Sequence, residues 1–214
     1  TVAGGVVATS RPDGYTLMMA DLGANAIGHE MARIPYDPTK AFQPVCHLVN
    51  LPLVLLVPAD SPAKDVAGLQ KLAREKPDMP YAHPGIGYIG HLAQELMMRS
   101  LGIRMTPVPY RSGAQMMQAI HTGEAQFGIA ALASATPLVR EGKVRGVAMV
   151  GSKRFPLHPE IPTLAELGLE GFDDGGFFVL IAPAGVPRPV AEALNRALVA
   201  SLNDHDIRDK LLVA

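Results

Sequence analysis

Short apolar runs alternate along this chain with stretches in which apolar residues recur every three to four positions. Residues 15–20, 51–57, 103–110, 126–130, 144–150 and 177–182 read as strands. Residues 66–75, 113–122 and 187–203 read as helices, and a shorter helix is expected around 137–141. The helix at 66–75 sets Val66, Leu69, Leu72 and Ala73 on one face. The one at 187–203 carries Val190, Leu194, Leu198 and Leu202 in register, with Pro187 near its first turn, where a missing N–H costs nothing. Gly123 and Gly142 close two of the helices. The alternation predicts an α/β architecture with largely parallel sheets.

Two segments far apart, 53–58 and 178–183, share one form: an apolar strand stopped by proline. Paired side by side, they make a two-stranded hinge. On this reading the first lobe is discontinuous (1–57 and 177–214), the second is continuous (58–176), and a cleft between them closes on a ligand. The segment 79–99, MPYAHPGIGYIGHLAQELMMR, is the most informative. A short extended run breaks at Gly85, Gly87 and Gly90 and then becomes an amphipathic helix. A glycine turn feeding a helix start gathers unpaired N–H groups at the positive end of the helix dipole, which suits a carboxylate or a phosphate.

Composition narrows the partners. Nineteen basic and twenty acidic residues give a net charge of −1, so no global field holds nucleic acid or an anionic membrane, and any attraction for an anion is local. The apolar run at 53–57 is far below the roughly 20 residues that a bilayer span needs. The first residues lack the charged and apolar regions of a signal peptide. A single cysteine, Cys46, excludes an internal disulfide and a cysteine-rich metal cage.

Gly85, Gly87 and Tyr88 are the leading site candidates, their N–H groups facing a ligand ahead of the helix. His83 offers a hydrogen bond or, below its ordinary pKa, a positive charge, and is otherwise a surface residue. His91, in the helix's first turn, reads as a structural hydrogen-bonding group. Tyr110, Arg111 and Ser112 close a strand end, where open α/β folds bind ligands; Tyr110 offers its hydroxyl and Arg111 a bidentate clamp or a solvated side chain. Asp21, Gly23 and Ala24 form the matching loop of the other lobe. The glycine spacing also fits a dinucleotide fingerprint, yet the next strand ends in Pro109-Tyr110-Arg111 without the required acid. Glycines so spaced also serve tight packing alone. No nucleophile elbow, no paired zinc histidines and no close carboxylate pair accompany the turn, and the seven histidines are scattered, so no cofactor and no metal are called for. A cytosolic small-molecule sensor domain and, behind it, a nucleotide-dependent enzyme are alternative readings. A transcription factor's helix-turn-helix and basic face are absent from the sequence.

The motifs carry a resemblance. Arg11-Pro12-Asp13-Gly14-Tyr15-Thr16-Leu17, Pro35-Tyr36-Asp37-Pro38, Phe42-Gln43-Pro44-Val45, Tyr81-Ala82 with Gly85, Gly87 and His91-Leu92-Ala93, and Val108-Pro109-Tyr110-Arg111-Ser112-Gly113 resemble, in order, the Bug-type receptors of tripartite tricarboxylate transporters. Gly142-Lys143-Val144-Arg145, Pro162-Thr163-Leu164-Ala165-Glu166 and Ala182-Pro183-Ala184-Gly185-Val186-Pro187 complete the series. The resemblance implies a two-lobed, type II-like periplasmic binding fold, each lobe a mostly parallel sheet flanked by helices. It also implies a non-catalytic periplasmic receptor that passes a small carboxylate to a membrane permease.

The family pattern opens with a strand, a proline- and glycine-containing loop and a helix. This chain is expected to start after them and to stop short of the usual C-terminal segment. The exposed sheet edges of the first lobe would then favour a homo-oligomer. Two further departures shape the site. The family often has aspartate or asparagine at the position of Ala130 or Ala131, and the two alanines point to plain or aromatic carboxylates rather than amino acids. His83-Pro84 and Tyr88 replace small hydroxyl residues and make the pocket narrower.

Overall fold

The computed structural model describes residues 2–21, 33–172 and 175–213. The chain divides into two compact units, Thr1–Asn50 with Gly176–Ala214, and Leu51–Gly175.

In the first unit the strands β1 (Met18–Asp21), β2 (Phe42–Leu51) and β8 (Gly176–Pro183) form a sheet of order β1-β8-β2, with β1 antiparallel to β8. Among the described residues its helices are α1 (Val2–Ala8), α6 (Arg188–Leu202) and α7 (His205–Val213). Val45, Cys46, Ala182 and Val186 make a small buried cluster, against which Val190, Leu194, Leu198 and Leu202 of α6 lie only partly buried. The predicted stripe of α6 thus faces the sheet, yet no residue of this helix is fully buried.

The second unit holds β3 (Leu53–Pro58), α2 (Val66–Glu75), β4 (Pro80–His83), α3 (Ile89–Leu101), β5 (Thr106–Pro109), α4 (Gly113–His121), β6 (Gly128–Ala131), α5 (Leu132–Arg140) and β7 (Val144–Val150). Its five-stranded sheet has the order β5-β4-β6-β3-β7. Strand side chains alternate between faces, and the cores show it. Leu53, Leu55, Val57, Tyr81 and Ile129 pack with α2 and α3. Val54, Leu56, Ala82 and Ala130 pack with α4 and α5. Helices therefore cover both faces of the sheet, and every residue of β3 is buried.

Several expectations need correction. β3 and β8 do not pair to form a hinge. β3 has β6 and β7 on its two edges and runs antiparallel to both, while β8 lies between β1 and β2. An apolar run ended by proline reports burial on both faces but not the identity of the neighbouring strand. For the same reason the first unit ends at Asn50, and residues 51–57 belong with the second. Antiparallel pairs are present in both sheets, β3 against β6 and β7 in one and β1 against β8 in the other. No element was expected before residue 15, where α1 lies, nor at β2 or α7. The helix expected near 137–141 starts at Leu132, directly after β6, with Pro137 in its interior rather than at its head.

Candidate functional site

Three parallel strands of the second unit end together. β4 pairs with β5, from Pro80 against Thr106 to His83 against Pro109, and with β6 through Ala82 and Gly128. The Tyr110 N–H donates to the His83 carbonyl at 2.9 Å and closes the β5 side. His83, Tyr110 and Ala131 therefore mark one edge of the sheet, the carboxyl end of its strands, where open α/β folds bind ligands.

Two helices begin there without a side-chain cap. After β4 the chain turns through Gly85 (φ +146°) and Gly87 (φ +83°), a backbone that suits glycine, and α3 starts behind Tyr88, whose side chain makes no capping hydrogen bond. α5 starts behind Ala131, which has no polar side chain to offer. The other helices of the unit with a described cap differ. The Asp65 carboxylate accepts the Gly68 N–H at 2.6 Å at the head of α2, and the Ser112 hydroxyl accepts the Gln115 N–H at 3.3 Å at the head of α4. A Cβ on Gly90 would stand 2.8 Å from the Ile129 carbonyl oxygen, so the first turn of α3 is pressed against β6 and brings the two uncapped starts close.

Imidazoles lie beneath the glycine turn. His83, at the end of β4, is 1% exposed, and its Nδ1 accepts the Gly85 N–H at 3.2 Å. His91, in the first turn of α3, accepts the Gly87 N–H on Nδ1 at 3.5 Å, the long end of the range. These bonds assign the neutral form with the proton on Nε2 to both rings. The rings stand 4.4 Å apart between centroids. His91 Nε2 lies 3.8 Å from a Glu95 carboxylate oxygen, which also accepts a short hydrogen bond from the Tyr81 hydroxyl. Burial, and then the His83 ring, push the His91 pKa below its ordinary value against the pull of Glu95. Burial and Glu95 raise that of Tyr81. One turn further on, buried Gln94 donates to the Ala82 carbonyl at 2.8 Å and ties α3 to β4.

The predicted residues fare unequally. Gly85, Gly87, Tyr88, His83 and Ala131 come together. The Gly85 and Gly87 N–H groups, expected to point at a ligand, are held by the two histidines. His83 is not a surface residue. The Tyr110 hydroxyl donates to Glu124 at 2.8 Å, and burial together with that carboxylate pushes its pKa up to about 12, so it is not a free donor. Ser112 serves as a helix cap. Arg111 is exposed, with its N–H donated to the Gln115 side chain at 3.2 Å. Ala130 faces the α4/α5 core, which leaves Ala131 alone at the site. Asp21 ends β1 of the first unit opposite Phe178, while Gly23 and Ala24 lie outside the described residues. Sequence reasoning passed over Tyr81 and Glu95. Their signal was present: Tyr81 and His83 two apart on a strand, His91 and Glu95 four apart on the following helix.

The fold is similar to that of the two-lobed periplasmic solute-binding proteins. The chain belongs to the tripartite tricarboxylate transporter family receptors, whose family model matches residues 1–213. It is 32% identical to a UPF0065 protein from the tcbD-tcbE intergenic region of Pseudomonas sp. (strain P51), over 96% of this chain and 62% of that protein. Among solved structures it is similar to R. palustris Rpa4515 with adipate, at 32% identity and a TM-score of 0.88, covering 99% of this chain and 71% of that one. It is also similar to MatC from Rhodopseudomonas palustris with bound malate, at 33% identity and a TM-score of 0.87, covering 100% and 73%. The family consists of solute-binding receptors rather than enzymes. The chain spans less than two thirds of the length of that Pseudomonas relative.

Proposed function

We propose that this chain is the ligand-binding part of a periplasmic receptor that takes a small carboxylate, without turnover, and delivers it to the permease of a tripartite transporter. The observation that carries the reading is the pair of uncapped helix starts at the ends of neighbouring strands. A carboxylate at the head of α3, bordered by Gly85, Gly87 and Tyr88, takes up backbone N–H groups that no side chain of the N-cap satisfies. A second acidic group, or a polar end, meets the head of α5 behind Ala131. Relatives solved with adipate and with malate support a small dicarboxylate as the ligand class.

Ala131 sharpens the choice of ligand. A methyl group there offers no partner to a buried α-ammonium, which is costly to leave unpaired, so plain carboxylates are preferred over amino acids. Calorimetry with adipate, malate, succinate, aspartate and an aromatic acid tests the reading. The expected result is binding of at least one plain acid with aspartate weakest. Silence across the panel overturns the receptor reading, and a preference for aspartate overturns the role of Ala131.

A further inference from the structure

Beneath the glycine turn, two imidazoles occupy the N–H groups that a bound anion would otherwise attract. We propose that His83 and His91 form a proton-operated latch on the 85–87 turn: with both rings neutral, Gly85 and Gly87 are held; with one ring protonated, the turn is released and a cation lies under the anion site. This deepens the carboxylate reading above and rests on it for its effect on ligand affinity.

The geometry sets the terms. An Nδ1 that accepts an N–H has a lone pair and no proton. Adding a proton places two N–H groups against each other, and the Gly87 or Gly85 amide must turn away. His91 is the ring that takes the proton, because Glu95 stands 3.8 Å from its Nε2, whereas His83 is sealed from solvent. A separation of 4.4 Å between rings opposes a second proton, so the pair takes up no more than one charge. Facing the pair are Tyr81 from β4 and Glu95 from α3; β6, packed against the start of α3, presents Gly128, Ile129, Ala130 and Ala131, none of which titrates. A carboxylate bound at the head of α3 stabilises the imidazolium, and by linkage protonation tightens the carboxylate. Affinity therefore rises as pH falls.

The test is an NMR titration of the full chain from pH 8 to pH 5.5, following the Gly85 and Gly87 amides and the histidine ring protons, alone and with adipate or malate as the probe. His91→Asn and His83→Asn set an amide oxygen near the place of Nδ1, keep an acceptor for the turn and cannot titrate. In the wild type both amides should shift with the midpoint of one ring, and a bound acid should raise that midpoint. Each unit of rise makes the affinity, read by calorimetry, about tenfold higher at low pH than at pH 8. His91→Asn should flatten both responses; protonation of the probe itself appears equally in wild type and variant and drops out of the comparison. Amides that stay still while the rings titrate overturn the latch, as does a pH response that survives in His91→Asn. If neither acid binds, the carboxylate reading falls and the amide titration alone decides the latch. Should His83→Asn fail to fold, His91→Asn carries the decision.

Discussion

Four helices of the second unit begin in two different ways. α2 and α4 start behind Asp65 and Ser112, whose side chains satisfy an N–H of the first turn, while α3 and α5 start behind Tyr88 and Ala131, which satisfy none. An N-cap side chain is worth about 1 kcal/mol, and leaving it out twice sacrifices stability. The omission falls at the carboxyl ends of neighbouring strands, where a ligand can replace the missing cap. Within this unit α2 and α4 carry their own side-chain acceptors and α3 and α5 do not, and α6 of the first unit also starts without one.

The largest effect should come from breaking the approach of α3 to its neighbour strand. Gly90→Val drives a Cβ against the Ile129 carbonyl at 2.8 Å, and the backbone there has little freedom to yield. A loss of about 3 kcal/mol is expected from the urea midpoint. An unchanged midpoint would mean that the two helix starts are not held together as described. Next in size, Gly87→Val places a β-branched residue at φ +83° and should weaken binding of the best acid in the panel at least tenfold, about 1.4 kcal/mol. Unaltered affinity in a folded variant would reduce the turn to a structural feature. The smallest effect is the most diagnostic, because its two halves have opposite signs. Asp65→Ala removes a cap and should cost about 1 kcal/mol, whereas Tyr88→Asp supplies one and should raise stability by about 0.5 kcal/mol while its carboxylate repels the ligand. If Tyr88→Asp leaves ligand binding intact, the head of α3 is not the anion site.

Much of this frame was legible. The helix at 66–75 and the strand at 144–150 have the boundaries that periodicity predicts, because each is long enough to show its repeat and ends at a clear break. β2 was not legible: its burial follows no simple alternation and Pro44 interrupts it. α5 was displaced because Pro137 resembles a helix start when it is met in sequence. At the site, glycines ahead of an amphipathic helix announced the turn. They did not reveal what occupied its N–H groups, since that depends on a strand pair and a helix pair meeting in space. Tyr110 and Ser112 misled for a related reason, as a hydroxyl near a strand end looks the same whether it awaits a ligand or already has a protein partner.

Cys46 is the only cysteine of the sequence, and it lies 7% exposed in the small cluster of the first unit. That placement supplies a reporter without any engineering. A thiol reagent reacts with a buried cysteine at a pace set by how often its surroundings come apart, so the alkylation rate is a clock for transient opening of the first unit alone. The second unit contains no thiol and stays silent in such a measurement. Slower labelling in the presence of a carboxylate would therefore register, on native protein, a ligand's effect on the opening of that unit.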